Sequence, residues 1–296
     1  MTEKTRTIDI PHLGGSRVGY RFGKPYDPSL PTLIMNNSFT TSVELFRPQF
    51  ADSELMSVAN LLAIEPYGHG ETWPSYRQFT YWDSAIANLQ VLDALGIADA
   101  FALGTSQGGW IVTQTAMLAP DRIRGIIPLG TSMDNESQHS RDLGCWNGTE
   151  FCTPAIDALA GPVPDDWTVP NGFVHGVLES GLGDTVTPED RAFWLEVYRR
   201  NYRGDAGRER LRTCAINLRD RDSLKARIGS VTCPVLWIHG TDDSVYSVAN
   251  AENGIALFTQ SADAQLKIVE GGQHFLSASH PQQVNPAAVA FINRWR

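Results

Sequence analysis

The sequence predicts an α/β protein, with a mostly parallel central sheet flanked by helices and a helical lid inserted before the last two strands. Three observations carry this. Short apolar runs alternate with helix-like stretches up to residue 131, and the same rhythm resumes at residue 231. Between those points the rhythm breaks: 132–230 has Pro/Gly turns, aromatics and helical spacing but no clear buried strand. A Gly-x-Ser-x-Gly turn, Gly104-Thr105-Ser106-Gln107-Gly108, stands where a strand passes into a helix. The expected division is therefore a core domain of 1–131 and 231–296 and a lid of 132–230.

The elements follow in order. Arg6 to Ile10 and Arg17 to Phe22 read as an antiparallel pair joined across Gly14-Gly15. Thr32 to Met35 is a short apolar strand that ends in Asn36-Asn37-Ser38-Phe39. Helical spacing around Phe46 to Leu61 precedes a second buried strand, Leu62 to Ile64, which empties into Glu65-Pro66-Tyr67-Gly68-His69-Gly70. Ile86, Leu89, Leu92 and Leu95 mark one face of a helix over Ser84 to Leu95. The strand Ala98 to Leu103 leads to the serine turn, and the helix behind it spans Trp110 to Leu118 and stops before Pro120. Ile123 to Leu129 is the next strand. In the lid, Thr187-Pro188-Glu189-Asp190 is a helix start, with Thr as cap and Pro at the first helical position. The core returns with strand Pro234 to Ile238, a helix near Ala249 to Phe258, strand Gln265 to Val269 and a last helix, Pro286 to Trp295.

Bulk properties narrow the function. With 296 residues the chain can bury a substantial core. A net charge of −9 and no basic stripe argue against nucleic acid or an anionic membrane as partner. No apolar run approaches a membrane span and the N-terminus lacks a signal core, so a cytoplasmic protein, monomer or homodimer, is expected. Cys145, Cys152, Cys214 and Cys233 form no zinc-ligand spacing; four thiols are expected, with a Cys145–Cys152 bridge left open. No metal and no cofactor is expected.

The chemistry is read from three loops. A serine hydroxyl is a poor nucleophile unless a base takes its proton and a third group fixes that base's tautomer. Ser106 sits at a turn where any side chain two residues before or after would clash, and the helix behind it aims free N–H groups at a developing anion. Downstream, each after a strand, come His239-Gly240-Thr241-Asp242-Asp243 and Glu270-Gly271-Gly272-Gln273-His274. His274 is the candidate base; His69, His239 and His280 read as structural. Asp243 is the candidate acid, with Asp242 as adjacent rival and Asp134 as a third. The oxyanion of acyl transfer needs two donors, expected from the N–H of Gln107 and of Phe39.

On these motifs the chain resembles the α/β-hydrolase fold family over essentially its whole length, in its serine-nucleophile branch. The resemblance rests on the Ser106 turn, Gly68-His69-Gly70, His239-Gly240-Thr241-Asp242-Asp243 and Gly272-Gln273-His274. In that family the second acid of such a loop orients the histidine, which favours Asp243. The Asn37-Ser38-Phe39 loop looks more like the enol-lactonase branch than like His-Gly esterases, and is also similar to fungal hydrolases. Glu65 stands where many members have Asp. A serine nucleophile disfavours the dehalogenase and epoxide-hydrolase readings, which use aspartate.

The implied activity is cofactor-free hydrolysis of a carboxylic ester or lactone by an acyl-enzyme on Ser106. Two alternatives are a non-hydrolytic acyltransferase, lyase or cyclase in secondary metabolism, and a ligand-binding receptor with a slow triad. Aromatics of the lid and its surroundings, Trp110, Trp146, Trp167 and Trp194 foremost, are expected to line a pocket for a medium-sized apolar or aromatic small molecule.

Overall fold

A computed structural model describes residues 4–296. One twisted sheet organises the chain. Its strands are β1 (Arg6–Ile10), β2 (Ser16–Phe22), β3 (Thr32–Asn36), β4 (Asn60–Ile64), β5 (Trp73–Pro74), β6 (Ala100–Thr105), β7 (Ile123–Leu129), β8 (Val235–Gly240) and β9 (Ala264–Val269). The order is β1-β2-β4-β3-β6-β7-β8-β9, with the two-residue β5 on β2. Pairings that involve β2 are antiparallel; from β4 to β9 every pairing is parallel.

Parallel strands in mid-sheet are covered on both faces and read as unbroken apolar runs. β3, β4 and β6 are buried at every position. Side chains alternate between two cores: Ile34, Leu62 and Ala102 face one, and Leu33, Met35, Leu61, Phe101 and Leu103 face the other. The first core is closed by α3 (Tyr81–Ala94) and α4 (Gln107–Leu118), which supply Val91, Leu92, Ile111 and Val112. The second is closed by the C-terminal helix α12 (Pro281–Trp295) through Val284, Ala288 and Ile292. Between β8 and β9, α10 (Val248–Ile255) returns the chain.

Between β7 and β8 the chain runs through α5 (Gln138–Asp142), α6 (Gly148–Ala158), α7 (Asn171–Leu182), α8 (Pro188–Asn201) and α9 (Gly204–Arg219). Within this segment the described residues make only one isolated bridge, Thr168 with Arg203. Its helices build a third apolar cluster from Val174, Leu178, Trp194, Tyr198, Tyr202 and Leu211, seated on Leu45 and Phe275 of the sheet part. Thr187 caps α8 as its sequence suggests: its hydroxyl accepts from Asp190 N–H while Asp190 reaches back to Thr187 N–H.

Two stretches differ from the sequence expectation. The helical spacing of 46–61 is split into α1 (Arg47–Phe50) and α2 (Ser53–Val58). Asp52 breaks it, because its carboxylate accepts from Leu55 N–H at 2.8 Å and so starts a new helix. The last helix begins at Pro281 rather than Pro286, and Pro286 lies inside it. A short helix, α11 (Leu276–Ser279), precedes it. All four cysteines are buried thiols, and Cys145 and Cys152 are not bridged. Among the described residues no helix is long and apolar enough to cross a membrane.

Candidate active site

Three strand ends bring the candidate side chains together. Ser106 sits at the C-terminal end of β6 with φ 56° and ψ −118°, a strained conformation outside any regular element. The flanking glycines are sterically required. A Cβ on Gly104 would lie 2.0 Å from the Gly108 carbonyl oxygen, and one on Gly108 would lie 2.1 Å from that of Asn36. The turn is thereby pressed against the end of β3, and α4 begins at the next residue, Gln107.

His274 follows β9 and Asp243 follows β8. His274 Nε2 is 2.9 Å from Ser106 Oγ, and His274 Nδ1 is 3.0 Å from both carboxylate oxygens of Asp243. With Nδ1–H donating to Asp243, Nε2 is left to accept from the serine hydroxyl. The Asp243 side chain is fully buried and is held by the N–H groups of Val245 at 2.8 Å and Tyr246 at 2.9 Å. Burial alone would raise its pKa, but the facing His274 and these donors outweigh it and hold the carboxyl below its ordinary value.

The rivals lie elsewhere. Asp242 is exposed and accepts from the Thr241 hydroxyl. Asp134 accepts from Asn135 N–H and the Ser137 hydroxyl and faces Lys225 at 3.4 Å. His239 lies beneath Asp243, 3.8 Å away, and contacts the Tyr246 carbonyl through Nε2. His280 contacts Ser279.

The loop after β3 crosses in front of the turn. Neither Phe39 N–H nor Gln107 N–H finds a hydrogen-bond acceptor among the described residues. Thr40 holds the loop in a left-handed turn, φ 58°, and donates its N–H to His69 Nε2 at 3.0 Å. His69 is fully buried, and that burial pushes its pKa down to about 4, so it is the neutral ring that serves here. The Gln107 side chain also reaches His69 Nε2, at 2.9 Å. From α8, the Tyr198 hydroxyl meets Thr40 Oγ1 at 2.6 Å, and Thr40 Oγ1 in turn donates to the Phe39 carbonyl.

A small pocket of about 30 Å³ opens onto Ser106 and His274. That holds roughly two waters. Trp146, Phe151, Val177 and Leu218 wall it from the helical segment, and Phe39, Val245, Tyr246 and Phe275 from the sheet part. Ser106 and His274 are only 4% and 5% exposed, so the site is closed. The end of α7 closes it: the Gly181 carbonyl accepts from Phe275 N–H, and the Ser180 carbonyl from the Ser244 hydroxyl.

Of the four expected pocket tryptophans, Trp146 alone lines this cavity. The expectation for the other three is corrected. Trp110 is fully buried and packs against Arg221 and Tyr246. Trp194 packs on Tyr198 and reaches a separate surface groove of about 810 Å³ that contains neither Ser106, Asp243 nor His274. Trp167 packs on the same helical cluster. Packing took these rings: Trp110 joins the first apolar core, and Trp167 and Trp194 join the helical cluster. Val177, Gly181, Leu218 and Phe275 were not singled out from the sequence, and no local signal marks them.

Comparisons with known proteins agree with this architecture. A family model described as alpha/beta hydrolase fold matches residues 31–148. Among curated proteins, a 2-hydroxy-6-oxononadienedioate/2-hydroxy-6-oxononatrienedioate hydrolase of Dechloromonas aromatica is 23% identical over 68% of this chain. The match spans 65% of that relative, just under two thirds of its length. Among solved structures, an esterase from Thermogutta terrifontis superposes with a TM-score of 0.77 at 16% identity, covering 98% of both chains. The enol-lactonase from Burkholderia xenovorans superposes with a TM-score of 0.77 at 20% identity, over 97% of this chain and all of its own. At such identities the superpositions speak for the fold alone.

Proposed function

On an α/β-hydrolase fold whose family model matches residues 31–148, we propose that the chain is a serine hydrolase that cleaves a carboxylic ester or lactone of a small molecule. The observation that carries this reading is the hydrogen-bonded line from Ser106 Oγ through His274 to the buried Asp243. Ser106 Oγ attacks the acyl carbonyl while His274 Nε2 takes its proton and passes it to the departing alkoxide. Asp243 keeps Nδ1 protonated and stabilises the imidazolium. The N–H groups of Phe39 and Gln107 receive the oxyanion. Water deprotonated by His274 then frees the acyl group.

The pocket walls suit an apolar or aromatic acyl group, but its present volume admits only a few atoms. A medium-sized substrate therefore requires the end of α7, with Ser180 and Gly181, to lift from Ser244 and Phe275. In this reading 132–230 acts as a lid. The hydrolase relative of Dechloromonas aromatica is in keeping with a hydrolytic reaction.

Intact-mass analysis after treatment with a small fluorophosphonate tests the proposal. Wild type should gain one adduct, and Ser106→Ala and His274→Ala should gain none. An ester and lactone panel in labelled water should then give product carrying one labelled oxygen. A folded wild type that takes no adduct would overturn the reading, and product without labelled oxygen would move acyl transfer ahead of hydrolysis.

A further inference from the structure

In the loop that crosses the nucleophile, nearly every side-chain polar group has a partner. Asn36 bridges the Ile64 carbonyl and Asn88, Asn37 Nδ2 donates to the Ser38 carbonyl, and Thr40 and Thr41 donate to the carbonyls of Phe39 and Ser38. Two atoms stand out: Asn37 Oδ1 and Ser38 Oγ are buried without any partner. Only Ser38 borders the pocket that holds Ser106 and His274.

A hydroxyl with no solvent and no protein partner is unfavourable unless something else completes it. The Ser38 hydroxyl shares the pocket with Ser106 and His274, yet no side chain of that pocket partners it. We propose that Ser38 Oγ–H is a third donor to the oxyanion, beside the Phe39 and Gln107 N–H groups. This rests on the serine-hydrolase reading above. As the Ser106 Oγ–C bond forms, the carbonyl π pair moves to oxygen and the Ser106 proton moves to His274 Nε2. Ser38 keeps its own proton and only turns it toward the new charge. Its bond strengthens as the carbonyl oxygen gains negative charge, so it raises kcat more than it lowers KM.

Ser38→Ala should fold normally, since the backbone carbonyl of Ser38, which accepts from Asn37, Thr41 N–H and Thr41 Oγ1, is untouched. On the best ester of the panel, kcat should fall by on the order of 10²-fold at little-changed KM. The affinity of a methyl trifluoromethyl ketone, whose adduct on Ser106 carries an oxyanion, should weaken by a similar factor. The thermal midpoint should hold or rise, because an orphaned hydroxyl is removed; a purely structural serine would lower it. Ser38→Cys, with a weaker donor of similar size, should fall between. A kcat within about twofold of wild type, or a loss confined to KM, overturns the proposal while fluorophosphonate labelling of wild type keeps the serine-hydrolase reading. Failure of wild type to label overturns both.

Discussion

Replacing Asp243 by Asn tests the site's proton logic, because the structure dictates which way the new amide must face. Asp243 Oδ1 accepts from Val245 N–H at 2.8 Å and from Tyr246 N–H at 2.9 Å. Asn can satisfy those two donors only by placing its own oxygen there. Its NH₂ then occupies the other position, 3.0 Å from His274 Nδ1. The oxygen kept at Oδ1 also lies 3.0 Å from Nδ1, but the NH₂ beside it is only a donor and repels an Nδ1–H, which favours the tautomer with the ring proton on Nε2. Nε2–H then faces Ser106 Oγ across 2.9 Å and cannot take its proton.

The same exchange in a serine-protease triad is a known case and costs about 10⁴ in kcat, or about 5.5 kcal/mol of barrier. A loss of this order is expected here, with fluorophosphonate labelling slowed in parallel. Stability should respond at acid pH. The folded carboxyl titrates below its ordinary value of 3.8, so in wild type its ionised form stabilises the fold above that pH. This contribution disappears as pH falls through the lower folded value, and Asp243→Asn should remove that part of the acid limb. Initial rates on the best ester, with calorimetric melting as the control for folding, measure both. Asp242→Asn is the internal reference: Asp242 is exposed and should change the rate by less than about twofold. A loss below tenfold in Asp243→Asn, or an equal loss in Asp242→Asn, would refute the reasoning.

Two further substitutions probe what supports the site. Burial raises the Glu65 pKa from 4.5 to about 7, although its oxygens accept from Val43 and Glu71 N–H. A carboxyl that holds its proton more tightly when folded makes the fold less stable as pH rises from about 4.5 to about 7, here by on the order of 3 kcal/mol. Glu65→Gln should flatten that decline, read as urea midpoints at pH 5 and pH 8; an unchanged slope would exclude Glu65 as its source. Tyr198→Phe removes the hydroxyl that meets Thr40 Oγ1 at 2.6 Å, both residues being fully buried. It should cost about 1 kcal/mol of stability and lower kcat several-fold, with KM moving less; kinetics and melting on one preparation check this.

Much of the fold was legible because its signals are local. β7 begins and ends where its apolar run does, and the serine turn announces itself by glycines whose absence of side chains the packing demands. That Ser106, Asp243 and His274 meet was legible for the same reason: each occupies the loop after its strand, and parallel pairing brings those loops to one edge of the sheet. Helix ends were less legible. Apolar spacing over 46–61 reports which residues face inward, but the break depends on Asp52 capping Leu55 N–H. Likewise Pro281 takes the first-turn position, and Pro286, read as a start, falls inside α12.

The pocket wall was hardest to read, and Trp110 shows why. It follows Ser106 by about one helical turn, so proximity along the chain suggested a side chain in the cavity. But α4 runs from the turn back along the buried face of the sheet, and the ring is carried into the first core. There it lies 6.0 Å from the Tyr246 ring, which in turn lies 5.6 Å from His274. Arg221 lies over it, 4.5 Å from the ring centroid, and also donates to the Tyr246 hydroxyl at 3.2 Å. Trp110 and Arg221 thus pack against Tyr246, the ring that lies against the imidazole. What a residue near Ser106 touches is decided by the direction its helix leaves the turn, and that direction is a property of the sheet.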